Sequence, residues 1–320
     1  MRLSLAKFAA LALLLAACGG GGDDGDSAAS TTSSKPAISA IPAAYDLAVG
    51  PPARFTVGLV NVDEGPVGYG TVALRFFYLG KGAANAEAVP GPSAVGQYLP
   101  LPGSPPAPAD ADKPVYLEET GRGVYAADVA FDKDGFWGVA VTAELDRSET
   151  ATATFKVAPA HMVPATGDAA LPSDNLTLDT PGAEPAAIDS RAGGGEPVPD
   201  EALHRTTVKA ALTDGRPVLL VISTPTFCVS IFCGPVTDMV GELAAAYADR
   251  ASFIHIEVWK DYEGKQLNDA AKEWIARGED INEPWVFLIG ADGKIAARWD
   301  NVATRGEIEP LLEELPVIAG

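Results

Sequence analysis

Two of the three cysteines in this 320-residue chain stand close together, in Phe227-Cys228-Val229-Ser230-Ile231-Phe232-Cys233-Gly234-Pro235-Val236. Thiols at C-x4-C spacing can close a local disulfide, exchange one with another protein, or ligate a metal. The pair follows an apolar run, Pro217 to Ile222, and precedes a helical pattern with Val236, Val240, Leu243 and Tyr247 on one face. A strand therefore feeds a helix with the cysteines at the junction. A thiol there meets the free N–H groups and positive dipole end of the helix, which favours thiolate. Pro235 suits the first turn, where its missing N–H costs nothing.

Three readings of the pair stand side by side: redox cycling, a permanent staple, and metal ligation. Closing so short a loop restricts the unfolded chain by only about 2 kcal/mol in the entropy model, so a staple adds little to a domain with its own core. Only three histidines and three methionines occur, which argues against a dedicated metal store. His161-Met162 alone is too small a ligand set for copper, and His255 falls inside a strand pattern. No metal and no cofactor are expected. Redox exchange is the leading expectation, with Cys233 attacking from the helix start and Cys228 resolving.

The elements around the pair resemble the thioredoxin superfamily from about Ala202 to Leu315. The resemblance is carried by a Pro-Val-Leu-Leu-Val strand, Cys233-Gly234-Pro235 opening a helix, a strand from Phe253 to Trp259, and Glu283-Pro284 before an apolar strand. Asp292-Gly293 then turns into Lys294 to Trp299, and a terminal helix begins with a Thr304/Glu307 capping box. Val236 stands where the family's second cysteine usually follows Gly-Pro. The resemblance implies an α/β thioredoxin-like fold, and a cis Pro284 beside the active cysteine. It also makes Glu283, Pro284, Gly234 and Pro235 the residues that face a bound polypeptide. The family keeps a buried carboxylate beneath the disulfide; Leu219 to Ile222 is wholly apolar, which leaves Glu257 as the candidate proton relay.

The chain begins with Arg2 and Lys7, an apolar run from Phe8 to Leu15, and Leu15-Ala16-Ala17-Cys18. Residues 1–17 read as an export signal, and the last four residues resemble a bacterial lipobox, which makes Cys18 the lipidation site. Residues 18–37, rich in Gly, Ser, Thr and Asp, read as a flexible tether. The protein is then expected on the extracytoplasmic face of a cell membrane, held by lipid, where a dithiol can persist oxidised. Lys plus Arg number 23 against 43 Asp plus Glu, a formal charge of −20. That balance gives no footprint for nucleic acid or anionic lipid.

Residues 38–158 change to a period of two. Phe55, Val57 and Leu59 share one face of a strand, as do Val72, Leu74, Phe76 and Tyr78, and Asp132-Lys133-Asp134-Gly135 marks a hairpin. The spacing predicts an all-β immunoglobulin-like sandwich, with Pro90 to Pro114 as a long loop. Residues 159–201 read as a Pro/Gly-rich linker before the 202–320 domain. The whole is expected to be a multidomain, membrane-anchored thiol–disulfide exchange protein acting on exported protein thiols or a membrane redox partner. The competing expectation is a surface binding or scaffold lipoprotein with a structural disulfide in an inert C-terminal domain.

Overall fold

The computed structural model describes residues 37–82, 87–105, 107–108, 111–117, 122–228, 230–277 and 280–318. The expected signal, the tether to residue 36 and the lipidation site Cys18 lie outside these residues. The described residues from 37 onward form one compact unit.

Nine strands fill the first half: β1 (Ile38–Pro42), β2 (Ala53–Asn61), β3 (Gly65–Gly68), β4 (Thr71–Gly80), β5 (Val89–Pro100), β6 (Val115–Tyr116), β7 (Gly123–Val129), β8 (Gly135–Glu144) and β9 (Ser148–Val157). All belong to one antiparallel sheet in the order β6-β3-β2-β7-β5-β4-β8-β9, with β1 paired to β2. Phe55 of β2 nevertheless meets both Phe76 of β4 and Phe155 of β9, each at 5.0 Å between ring centroids. Strands so far apart in the sheet order touch only if the sheet curls over a shared core, which Phe131 and Trp137 complete.

The second half holds α1 (Pro185–Ile188), α2 (Val208–Thr213), β10 (Val218–Ser223), α3 (Cys233–Tyr247) and β11 (Ser252–Glu257). Two short ribbons follow, β12 (Trp259–Asp261) with β13 (Gln266–Leu267), and β14 (Ala276–Arg277) with β15 (Asp280–Ile281); α4 (Asp269–Ile275) lies between them. The chain continues through β16 (Trp285–Ile289), β17 (Ile295–Asp300) and α5 (Arg305–Glu313). A four-stranded sheet runs β11-β10-β16-β17, with β10 and β11 parallel and the other neighbours antiparallel. Every residue of β10 is buried because both faces are covered. Val218, Leu220 and Ile222 pack with Ile254, Trp274 and Phe287, while Leu219 and Val221 pack with Val240, Leu243 and Val286. Such two-sided cover explains an apolar run that does not alternate.

The fold-class expectation is corrected. Strand makes up 39% of the chain against 19% helix, the nine-stranded antiparallel sheet dominates, and a thioredoxin-like α/β fold is not evident. Among the described residues there are also no two separate hydrogen-bonded sheets of an immunoglobulin-like sandwich: β5 pairs with both β4 and β7 and joins the two halves into one. The Pro-, Ala- and Gly-rich run from Pro90, expected as loop, forms β5 as far as Pro100. The glycines have a packing reason. A Cβ on Gly91 would sit 2.6 Å from Trp137 Cζ3, and one on Gly96 3.0 Å from Val72 Cγ2, so bulk is excluded where the curled sheet closes on its core.

The two halves are clamped together. Asp46 accepts Arg298 Nη1 at 2.9 Å and the Met162 and Val163 amides at 3.0 and 3.2 Å. Burial by itself would raise the Asp46 carboxyl, but His161 and Arg298 beside it hold it down at about 2. Arg54 of β2 grips Glu307 of α5 through two bonds of 2.8 and 3.2 Å. The Thr304 amide donates to the same Glu307 carboxylate, closing the capping box that the sequence marks. Within residues 159–201, Val163 and Ala170 join the core of the four-stranded sheet, and Ala169 is bridged to Lys294.

Candidate functional site

Cys228 and Cys233 are joined by a disulfide across the loop between β10 and α3. Cys233 opens α3 and is fully buried, while Cys228 is half-buried. Cys228 is therefore the more accessible of the two, whereas the sequence expectation makes Cys233 the attacking thiol. The reason lies in Phe232, which packs against Leu101, Val124 and Val302 and draws the helix start inward. Ser230 Oγ lies 3.3 Å from Cys228 Sγ and 3.4 Å from the Glu283 carbonyl oxygen. With one hydrogen, the hydroxyl serves one of these acceptors at a time.

Glu283 and Pro284 come to the disulfide from the segment before β16, and the peptide bond between them is cis. Pro284 is buried, and Gly234, Pro235 and Glu283 are half-buried. A Glu283 carboxylate oxygen and the two sulfurs all lie within 4.8 Å of one another. Burial, with the Glu257 carboxylate nearby, pushes the Glu283 carboxyl up to about 7. At neutral pH it is thus divided between a form that can give a proton and one that can take it. Sequence reading assigned this residue its backbone role and overlooked its side chain.

Glu257, the candidate relay from sequence, is buried at the end of β11. Its oxygens accept the Ser190 amide at 2.8 Å and the Trp259 amide at 3.1 Å, and burial raises its carboxyl above the usual range. These bonds tie Glu257 to backbone, whereas Glu283 is the carboxyl grouped with the sulfurs among the described residues. Tyr45, which sequence did not single out, donates its hydroxyl to the Glu283 carbonyl at 3.2 Å. Only the fold brings these two together.

Behind Cys233 runs a polar chain. Thr237, one turn along α3, donates its hydroxyl to the Cys233 carbonyl at 2.8 Å. Its single proton is thereby used, so Ser223 Oγ, 2.6 Å away, must donate to Thr237. Ser223 Oγ must then accept from His255 Nε2, at 3.0 Å. His255, read from sequence as an ordinary strand residue, is buried.

Around the loop, Phe227 stacks on Tyr262 at 3.9 Å, with Lys265 Nζ 3.7 Å from the same tyrosine ring, and Ile231 is exposed. A cleft of about 730 Å³ opens on one side, lined by Leu101 and Gly103 of the first half and by Pro235, Met239 and Arg305 of the second. Among the described residues no helix is long and apolar enough to cross a membrane. Compared with known proteins, the chain matches no family model and no curated sequence.

Proposed function

We propose that the protein exchanges disulfides with other exported proteins while held by lipid at the extracytoplasmic face of a membrane. The observation that carries this reading is the grouping of a half-buried sulfur, a buried sulfur at a helix start and a carboxyl that titrates near neutrality. A disulfide serving only as a staple needs no proton donor beside it. Lipid attachment at Cys18 and export rest on the residues of the first eighteen positions.

In the proposed reaction a substrate thiolate attacks Cys228 Sγ. The Cys228–Cys233 bond breaks, and its electron pair leaves on Cys233, where the first N–H groups of α3 and the helix dipole stabilise the thiolate. Protonated Glu283 then supplies the proton. A second substrate thiolate attacks the mixed disulfide at the substrate sulfur and releases Cys228. Two substrate thiols become one disulfide as the protein's disulfide becomes two thiols. The same steps run backwards when the substrate is the oxidised partner. Glu283, Pro284, Gly234 and Pro235 line the docking edge, and the cleft beside Pro235 gives a polypeptide room to lie.

The test is a trap. With Cys233→Ser, Cys228 has no internal partner, so mixed disulfides with exported proteins should accumulate in the native membrane and disappear on reduction. Cys228→Ser leaves only the buried sulfur and should trap far less. Equal trapping by both variants, or none by either, contradicts the reading.

A further inference from the structure

We propose that Asp189, His204 and His255 form a buried binding site for one divalent cation of the zinc class, separate from the disulfide and independent of its exchange. None of the three side chains is solvent-exposed. Asp189 lies just after α1, His204 follows the segment read as linker, and His255 comes from β11. Asp189 Oδ2 is 3.4 Å from His204 Nε2 and 3.4 Å from His255 Nδ1, and the two rings stand 5.3 Å apart.

Neither short approach is a hydrogen bond. His255 Nδ1 and both ring nitrogens of His204 are buried without a hydrogen-bond partner. Orphaned nitrogens at such depth are costly unless something shares them. The polar chain to Cys233 gives His255 its proton on Nε2, so in the neutral ring Nδ1 presents a lone pair to a carboxylate lone pair. A cation shared between them relieves that contact of two acceptors. The distances fit an ion: metal–nitrogen and metal–oxygen bonds of about 2.1 Å arranged tetrahedrally give ligand–ligand edges of about 3.4 Å.

Charge around the cluster agrees. Arg191 meets Asp189 at 2.7 Å, Asp200 at 2.9 Å and Asp238 at 2.8 Å. One guanidinium against three carboxylates leaves two negative charges, which a dication balances. Arg191 Nε and its own amide take both lone pairs of Asp189 Oδ1, while Nη2 takes one of Oδ2, so Oδ2, the oxygen that faces both histidines, keeps a lone pair for a ligand bond. Arg191 on the carboxylate and Ser223 on His255 are the outer partners that fix ligand orientation in metal sites. Two imidazolium protons would balance the same charge, and the experiment separates the two cases.

The full chain, with its disulfide formed and stripped by chelator, is titrated with zinc chloride in a calorimeter. X-ray absorption is then recorded on the zinc-loaded protein. One equivalent per chain is expected, with two imidazoles and oxygen around the zinc and no sulfur. Ser223→Ala should weaken binding about 10–100-fold, and His204→Gln by more. Absence of a saturable equivalent, an absorption spectrum without imidazole, or unchanged affinity in His204→Gln overturns the site in favour of protonated histidines or an adventitious surface ion. Should His204→Gln fail to fold, the spectrum of the wild-type chain decides.

Discussion

Replacing Glu283 by Gln removes a charge from the sulfurs and keeps the side chain's shape. Glu283 has a carboxylate oxygen within 4.8 Å of both sulfurs and titrates near 7. When ionised it repels a neighbouring thiolate. At an effective dielectric of about 20, a unit charge at that distance is worth about 3.5 kcal/mol, or about 2.5 pH units. The half-buried rim lets in water, which reduces the effect to about one unit. Cys233 is buried, so alkylation of the reduced protein by iodoacetamide reports on Cys228. The wild-type rate against pH should show an inflection near 7 as Glu283 ionises. Glu283→Gln should abolish that inflection and lower the apparent pKa of Cys228 by about one unit. Superimposed profiles would refute the coupling, and with it the assignment of Glu283 as proton donor and acceptor.

Glu283 also leaves a stability signature. Its folded value lies above that of an unfolded carboxyl, so its contribution is present in acid and lost as pH rises through about 7. The melting temperature of the oxidised wild type should fall relative to Glu283→Gln between about pH 5 and 8. Asp46 has the opposite sign. Its value is depressed from 3.8 to about 2, so it contributes about 2 kcal/mol above pH 4 that is lost as pH falls through the folded value. Asp46→Asn should lower urea stability by about that amount at pH 7, and the difference should shrink at about pH 2. Gly91→Ala should cost about 1–3 kcal/mol, because the new methyl meets the Trp137 ring and the Phe76 carbonyl; an unchanged urea midpoint would contradict the packing account of β5.

Local elements were largely legible. The runs that became β2, β4 and β10 announce themselves by alternation or by continuous apolar residues, and α3 by its buried face. Assembly was not. β5 escaped because proline and glycine are read as punctuation, and here glycine is required by the Trp137 ring pressed against the strand. Without β5 the single curled sheet cannot be inferred, and two sheets are the natural alternative. At the site, the cysteines and the Glu283-Pro284 pair could be named from local sequence. Their burial could not, because Phe232 draws Cys233 inward through contacts with Leu101 and Val124, more than a hundred residues away in the chain. Tyr45 and Asp189 share that cause: each acquires its partner, Glu283 or His255, only through the tertiary fold.

The reduction potential of the Cys228–Cys233 pair, measured on the full chain by equilibration against defined thiol buffers, tests the exchange claim most directly. A value between about −120 and −270 mV is expected for a bond that opens and closes with partners. A value below about −300 mV would mark a locked structural bond and contradict the account.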